Sequence, residues 1–245
     1  MNMEINTFFD RVCVINLKSR VDRHVEMTEQ LQRIGLNLES RNIALFEAIK
    51  PSDPAGFPSA GARGCFMSNL QLLREARESK CSSVLILEDD LNFCDDFLPR
   101  FNAVAAFLET VDWGMFYGTY QINPSLQNSG APCVRVDPGL DVGTTAFVAF
   151  HGRHIDALVQ YLEAILTRPA GDPHGGPMHV DGAYCWFRRS HPEVSTWLAS
   201  RQLGFQRSSR TDINPLRWYD RSSWSAGMVA GLRRVRNRIA RQRGR

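Results

Sequence analysis

The chain has 245 residues and the composition of a globular protein, with 43% hydrophobic and 22% charged residues. No stretch approaches the ~18 apolar residues that a membrane-spanning helix needs, and the N-terminal residues lack the basic and apolar regions of a signal peptide. Its 6 cysteines form no CxxC pair, which predicts reduced thiols in a cytoplasmic protein. Disordered, transmembrane and disulfide-rich classes are therefore excluded.

The net charge of +3 is unevenly distributed along the chain. Residues 233–245 contain seven Arg and no acid, whereas residues 1–232 carry a net charge of −4. Four apolar residues of the tail recur at helical spacing: Met228, Leu232, Val235 and Ile239. A basic amphipathic helix with tryptophans upstream favours contact of residues 218–245 with an anionic membrane surface, and a solvated end is the alternative. The acidic body carries no nucleic-acid motif, so no nucleic-acid partner is expected.

In chain order, short apolar runs alternate with segments of helical periodicity. Strands are predicted at residues 11–17, 43–49, 83–87, 113–118 and 144–150. Helices are predicted between Ser19 and Gly35, at 65–79, 97–108 and 155–166, and from about residue 181. In the first helix, Ser19 and Gly35 are expected to be the caps. The residues expected on one face of this helix are Val21, Val25, Thr28, Leu31 and Ile34.

Loops rich in glycine and proline fill the intervals at 51–64, 119–142 and 168–180. The alternation of strands and helices predicts an α/β domain with a mostly parallel sheet. We place this domain at residues 1–215 and the basic amphipathic tail at residues 216–245.

Three carboxylates, Glu88, Asp89 and Asp90, follow the buried strand at 83–87 directly. Strand alternation predicts that Glu88 and Asp90 point one way and Asp89 the other. Ligands of open α/β sheets bind beyond the carboxyl ends of the strands, and carboxylate oxygens there suit Mg²⁺ or Mn²⁺. On pattern alone, the triplet could equally be a solvated acidic turn before the next helix, or part of a phosphatase-type metal site.

Six segments, taken in order, resemble glycosyltransferase family 25, the lipopolysaccharide and collagen β-galactosyltransferase group. They are VINLKSRVDRHVEMTEQL, GARGCFMSNLQLLREA, VLILEDDL, GTTAFVAFHGRHIDALV, HVDGAYCWF and QRSSRTDI. The chain departs from the family's pattern at Asn69, where the family has His after the motif serine. The resemblance implies a GT-A-type fold, which is an α/β/α nucleotide-binding sandwich. It also implies a nucleotide-sugar donor, often UDP-galactose, and transfer with inversion at the anomeric carbon.

With the resemblance included, the acidic triplet is assigned to the metal and the ribose of the donor. His179 is a candidate further metal ligand, although a lone His in a polar loop more often has no role in metal binding or catalysis. Asp181 is the candidate catalytic base that takes the proton of the acceptor, and its alternative role is a helix N-cap.

The nucleotide-sugar is expected to contact Asn16, Leu17 and Arg20 at the end of the first strand. The alternative is that this segment only supports the helix, with Arg23 on its first turn stabilising it through a surface pair. Further candidate contacts, each with an alternative role in packing or in a turn, are Gly64, Ser68 and Asp212.

The predicted function is therefore a metal-dependent hexosyltransferase that uses a UDP-sugar, with a glycan or glycolipid acceptor such as lipopolysaccharide. The predicted location is cytoplasmic, with a possible peripheral position on the inner face of the cytoplasmic membrane. One alternative is another metal-dependent phosphoryl-transfer enzyme. A second is a non-catalytic nucleotide-sugar-binding module.

Overall fold

The computed structural model of the protein describes residues 4–122 and 130–207. A seven-stranded sheet contains β1 (Arg11–Asn16), β2 (Ile43–Glu47), β3 (Ser83–Glu88), β5 (Met115–Tyr117), β6 (Cys133–Val136), β7 (Phe147–His151) and β8 (Thr196–Ala199). Its strand order is β2-β1-β3-β7-β5-β8-β6. A separate antiparallel ribbon pairs β4 (Leu91–Phe93) with β9 (Gly204–Gln206).

Five strands of the large sheet run in one direction, and β7 and β6 run against them. The helices are α1 (Ile5–Phe8), α2 (Val21–Arg33), α3 (Ala60–Glu78), α4 (Phe97–Leu108), α5 (Gly152–Leu166) and α6 (Val180–Ser190). The side chains of α1, α2 and α4 join one hydrophobic core and those of α3, α5 and α6 join a second. Successive strand residues divide between them, with Leu85 and Leu87 in the first core and Val84 and Ile86 in the second. The predicted α/β sandwich with a mostly parallel sheet is confirmed.

The buried face of α2 differs from the predicted one. Val21 is 64% exposed and Val25 is 53% exposed, and Met27 and Gln30 are buried in their place. Leu31 and Ile34, at the other end of the predicted face, are buried as expected. The inward face is set by contacts with the acidic triplet and with β4, where the Phe93 amide donates to Gln30 Oε1 at 3.1 Å. The expected N-cap at Ser19 is also wrong, because the helix is preceded by Arg20 and lacks a side-chain cap. Gly35 follows the helix with a φ of 82°, as the sequence predicted.

Two predicted loops contain regular structure. α3 begins at Ala60, five residues before the predicted start, because Ser59 caps it by accepting from the Ala62 amide at 3.0 Å. The 119–142 loop contains β6, whose four residues are too few for a clear periodicity. Within the described ranges, no helix has both the length and the apolar character needed to cross a membrane. The predicted boundary at residue 215 and the tail at 216–245 lie outside the described residues.

Candidate active site

Polar residues from distant parts of the chain meet at the carboxyl edge of the parallel strands. β1 ends at Asn16 and β3 ends at Glu88, so both side chains lie at this edge. Because β7 runs in the opposite direction, the residues that precede it, Thr144 and Thr145, also lie there. Asp181, in the first turn of α6, accepts from the Thr144 amide at 3.4 Å. In the described chain, this edge therefore unites the acidic triplet with the predicted base.

Asp89 is a satisfied carboxylate. Its Oδ2 accepts from Asn16 Nδ2 and its Oδ1 from Arg23 Nη1, each at 2.7 Å. The side chains of Arg23 and Asp89 are only 12% and 8% exposed, so this is a buried ion pair. Both Asp89 oxygens are thus used by the protein itself. Arg23 is the residue of this site that sequence reasoning missed. It reaches the acidic triplet from the first turn of α2.

Glu88 and Asp90 are poorly neutralised by comparison. Glu88 Oε1 accepts from Thr145 Oγ1, and Asp90 Oδ2 lies 3.4 Å from Arg23 Nη1. Asp90 is only 7% exposed, and its buried Oδ1 has no hydrogen-bond partner. Burial raises the pKa of Glu88, and the charge of Asp90 raises it further. Burial likewise raises the pKa of Asp90, against the opposing effect of Arg23.

Gln206 joins these two carboxylates, because its Nε2 lies 3.4 Å from Glu88 Oε2 and 3.4 Å from Asp90 Oδ2. Asp89 instead accepts from Asn16, but Arg23 Nη1 contacts both Asp89 and Asp90. The predicted division of the triplet between two directions therefore stays a prediction. The backbone of the next residue, Arg207, donates to the Asp90 carbonyl at 2.6 Å. Neither residue could be assigned to the triplet from the sequence, because the contacts span more than 110 positions.

Asp181 and Glu88 are linked through two adjacent residues. The Thr144 amide donates to Asp181 and the Thr145 hydroxyl donates to Glu88. Thr144 has a φ of 66°, a left-handed conformation that is costly for a threonine and that turns its amide toward Asp181. Burial raises the pKa of the nearby Cys65 thiol, and the charges of Glu88, Asp181 and Asp90 raise it further. The contacts that carry the link are those of Thr144 and Thr145, which are adjacent in the chain.

The remaining predicted residues have other positions. Arg20 forms a 2.9 Å ion pair with the exposed Asp22. Leu17, three residues before Arg20, is half-buried. His179 is exposed and precedes α6 without a side-chain capping bond. Their roles in metal or nucleotide binding stay predictions, and Asp212 lies outside the described residues.

Gly64 and Ser68 lie on α3 and contact the chain that follows β2. Ser68 Oγ accepts from the Ile49 amide at 2.8 Å and donates to the Gly64 carbonyl at 2.7 Å. A Cβ at Gly64 would clash with the Ile49 carbonyl oxygen. These contacts give both residues the packing role that was the alternative in the sequence.

A divalent cation fits part of the acidic triplet. Among residues 4–122 and 130–207, no three His, Cys, Asp or Glu side chains are already arranged as a metal site. Glu88 and Asp90 nevertheless offer hard oxygen donors, and the unpartnered buried Oδ1 of Asp90 is of the kind that a cation would satisfy. Asp89 is less available, because each of its oxygens already accepts a hydrogen bond, one from Asn16 and one from Arg23. Its assignment to the metal and the ribose stays a prediction.

Comparisons with known proteins find distant relatives. No known family profile matches the chain. It is 30% identical over 129 residues to procollagen galactosyltransferase 1-B of Xenopus laevis, which covers 44% of this chain and 21% of that protein. It is 24% identical over 127 residues to human procollagen galactosyltransferase 2, covering 44% and 20%. The match thus spans about a fifth of the length of these curated relatives.

Among solved structures, the chain is similar to a glycosyltransferase involved in glycosylation of the major capsid of PBCV-1. The identity is 12% and the TM-score is 0.35, over 77% of this chain and 92% of that one.

Proposed function

We propose that this chain, a distant relative of the procollagen galactosyltransferases, is a nucleotide-sugar-dependent glycosyltransferase that inverts the anomeric centre of the donor sugar. The observation that carries the proposal is that adjacent residues, Thr144 and Thr145, contact Asp181 and Glu88, while Gln206 joins Glu88 to Asp90. These contacts bring a candidate base and two poorly neutralised carboxylates to the edge where α/β sheets bind nucleotides.

Direct displacement needs a base on the acceptor side and charge stabilisation on the leaving-group side. The acceptor hydroxyl oxygen attacks the anomeric carbon, the bond from that carbon to the diphosphate oxygen breaks, and Asp181 takes the hydroxyl proton. The Thr144 amide, at 3.4 Å from Asp181 Oδ2, orients the carboxylate for this transfer. The acceptor and the leaving group must be held in line across the anomeric carbon.

Glu88 and Asp90 are the residues proposed to hold Mn²⁺ or Mg²⁺, which when bound supplies charge stabilisation for the diphosphate. Thr145 holds Glu88 through its hydroxyl group, Arg23 holds the Asp89 carboxylate, and Arg207 holds the backbone carbonyls of Asp89 and Asp90. The buried Arg23–Asp89 pair is thus a support for the cluster, while Glu88 and Asp90 keep oxygens for the ligand.

Galactose, from UDP-galactose, is the proposed sugar, because the relatives bear the name galactosyltransferase. The proposed acceptor is a lipopolysaccharide or another surface glycan, because such an acceptor would give the predicted basic tail a use. Contact of residues 218–245 with an anionic membrane surface would bring such an acceptor close, and this contact stays a prediction.

The first test is a thermal-shift screen of UDP-, GDP-, CMP- and dTDP-sugars with and without Mn²⁺. A ligand at ~100 times its dissociation constant stabilises the folded state by about 2.7 kcal/mol, which is an easily measured shift. We expect stabilisation by UDP-galactose that needs Mn²⁺. The Asp90→Asn variant should lose this response, and the matched Asp141→Asn variant should keep it, because Asp141 forms an exposed pair with Arg189. A folded protein that responds to no nucleotide sugar would contradict the proposal.

A further inference from the structure

The side-chain amide of Gln206 bridges the two carboxylates that are proposed to hold the cation. Its Nε2 lies 3.4 Å from Glu88 Oε2 and 3.4 Å from Asp90 Oδ2. These carboxylates come from β3 and the turn after it, whereas Gln206 comes from β9, the last strand of the described chain. The amide nitrogen therefore lies between the half-buried Glu88 and the buried Asp90.

We propose that Gln206 is a built-in competitor for the divalent cation of this site. Its amide nitrogen fills the space between Glu88 and Asp90 in the ligand-free protein, and the side chain turns away when the cation binds. This inference rests on the proposed function, because it takes Glu88 and Asp90 as cation ligands.

The amide is a weak substitute for a cation. A neutral N–H donor brings only a partial positive charge, and both of its contacts are long for hydrogen bonds. Asp90 Oδ1 remains buried without a partner even with Gln206 in place. The pair of carboxylates thus stays under-neutralised, which leaves a net advantage for a divalent ion over the amide.

The exchange needs movement of one side chain only. The Gln206 backbone is fixed, because Gln206 pairs with Leu91 across the β4–β9 ribbon. Arg207 holds the same strand end through its amide on the Asp90 carbonyl at 2.6 Å and its Nη2 on the Asp89 carbonyl at 2.8 Å. Gln206 itself is exposed, so solvent can receive its side chain. The backbone of the acidic turn therefore stays in place while the amide leaves.

Titration of the purified protein with Mn²⁺, followed by the electron paramagnetic resonance signal of free Mn²⁺, tests the proposal without an activity assay. Gln206→Ala should bind Mn²⁺ roughly fivefold more tightly than the wild type, which is the size expected for the loss of one or two neutral hydrogen bonds. Gln206→Lys should bind Mn²⁺ at least ~10-fold more weakly, because an ammonium group competes harder for the two carboxylates.

The matched control is Gln160→Ala, which removes an exposed amide that donates to Asp156 at 2.8 Å, on α5. Its Mn²⁺ affinity should equal that of the wild type. If Gln206→Ala does not fold, Gln206→Asn, whose amide is one methylene shorter, should show the same tightening. Unchanged or weaker binding in the folded Gln206 variant would overturn the proposal while leaving the cation site intact. Absence of Mn²⁺ binding in the wild type would overturn both this proposal and the cation in the proposed function.

Discussion

The two edges of the parallel strands differ in what they offer a ligand. The amino edge has a cavity of about 620 Å³, with Phe8, Trp113, His151 and Arg153 in its wall. The aromatic groups there already contact one another, with Trp113 edge-on to His151 at 5.2 Å. The carboxyl edge instead has buried carboxylates of raised pKa and a buried Asp90 oxygen without a partner.

The two edges thus differ in their balance of charge. Arg153, the cation in the wall of the amino-edge cavity, is already paired with Asp112 at 2.6 Å. At the carboxyl edge, the acidic groups exceed the neutralising contacts that the protein supplies to them. Uncompensated buried charge is costly to folding and is expected where a ligand completes the site. The following predictions test whether function belongs to the carboxyl edge.

The largest effect is expected for Asp181→Asn, which removes the proposed base with almost no change in shape. Loss of a general base lowers turnover by ~10²- to 10⁴-fold, so kcat for galactose transfer should fall by this amount. Stabilisation by UDP-galactose and Mn²⁺ should persist, because the side-chain oxygen of the asparagine can still accept from the backbone N–H of Thr144. Radiolabelled transfer and thermal shift together check this, with Asp141→Asn as control. Turnover near the wild-type value would remove Asp181 from the mechanism.

Replacing the neighbours Asp89 and Asp90 by asparagine should have different effects on the free energy of unfolding. Asp89→Asn removes the charged partner of the buried Arg23 and should lower the free energy of unfolding by about 2–3 kcal/mol. Asp90→Asn removes a poorly neutralised charge and should leave the free energy of unfolding unchanged or slightly higher. Urea unfolding without metal measures both. Equal destabilisation by the two variants would show that Asp90 is as well paired as Asp89.

Thr145→Val should weaken cation binding without unfolding the protein. Thr145 is 3% exposed, and its hydroxyl is a donor to Glu88 Oε1. Partners that orient metal ligands typically contribute ~10- to 100-fold to metal affinity, so Mn²⁺ should bind at least ~10-fold more weakly. Thr167→Val is the control, because its hydroxyl donates to the Ala164 carbonyl at the exposed end of α5. Similar Mn²⁺ affinities in the two variants would contradict the role of Thr145.

Sequence periodicity predicted the α/β domain with its mostly parallel sheet and the position of the acidic triplet, because both depend on local patterns. The apolar run before Glu88 marks a buried strand, and the end of such a strand marks the ligand edge. The resemblance to family 25 added the association of Asp181 with that edge, which the 3.4 Å contact with the Thr144 amide now supports. No single stretch of sequence would have joined these two regions.

The errors arise where polar residues are buried. The inward face of α2 includes Arg23, Met27 and Leu31, so counting apolar residues placed Val21 and Val25 inward by mistake. A clue was available, because Arg23 precedes Met27 by four positions and Leu31 by eight, on one helical stripe. Gln206 offered no such clue, because its contacts depend on the pairing of two three-residue strands distant in sequence.

The smallest effect is expected for Arg153→Ala at the amino-edge cavity. The Arg153–Asp112 pair is more than half exposed on both sides, so its loss should change the free energy of unfolding by less than ~0.5 kcal/mol. If the cavity bound the donor, this guanidinium would be the group available to meet a diphosphate, and the variant would lose affinity for UDP-galactose. Isothermal titration of UDP-galactose in the presence of Mn²⁺ separates the two cases. An unchanged dissociation constant would leave the carboxyl edge, with its excess of negative charge, as the place where donor and cation meet.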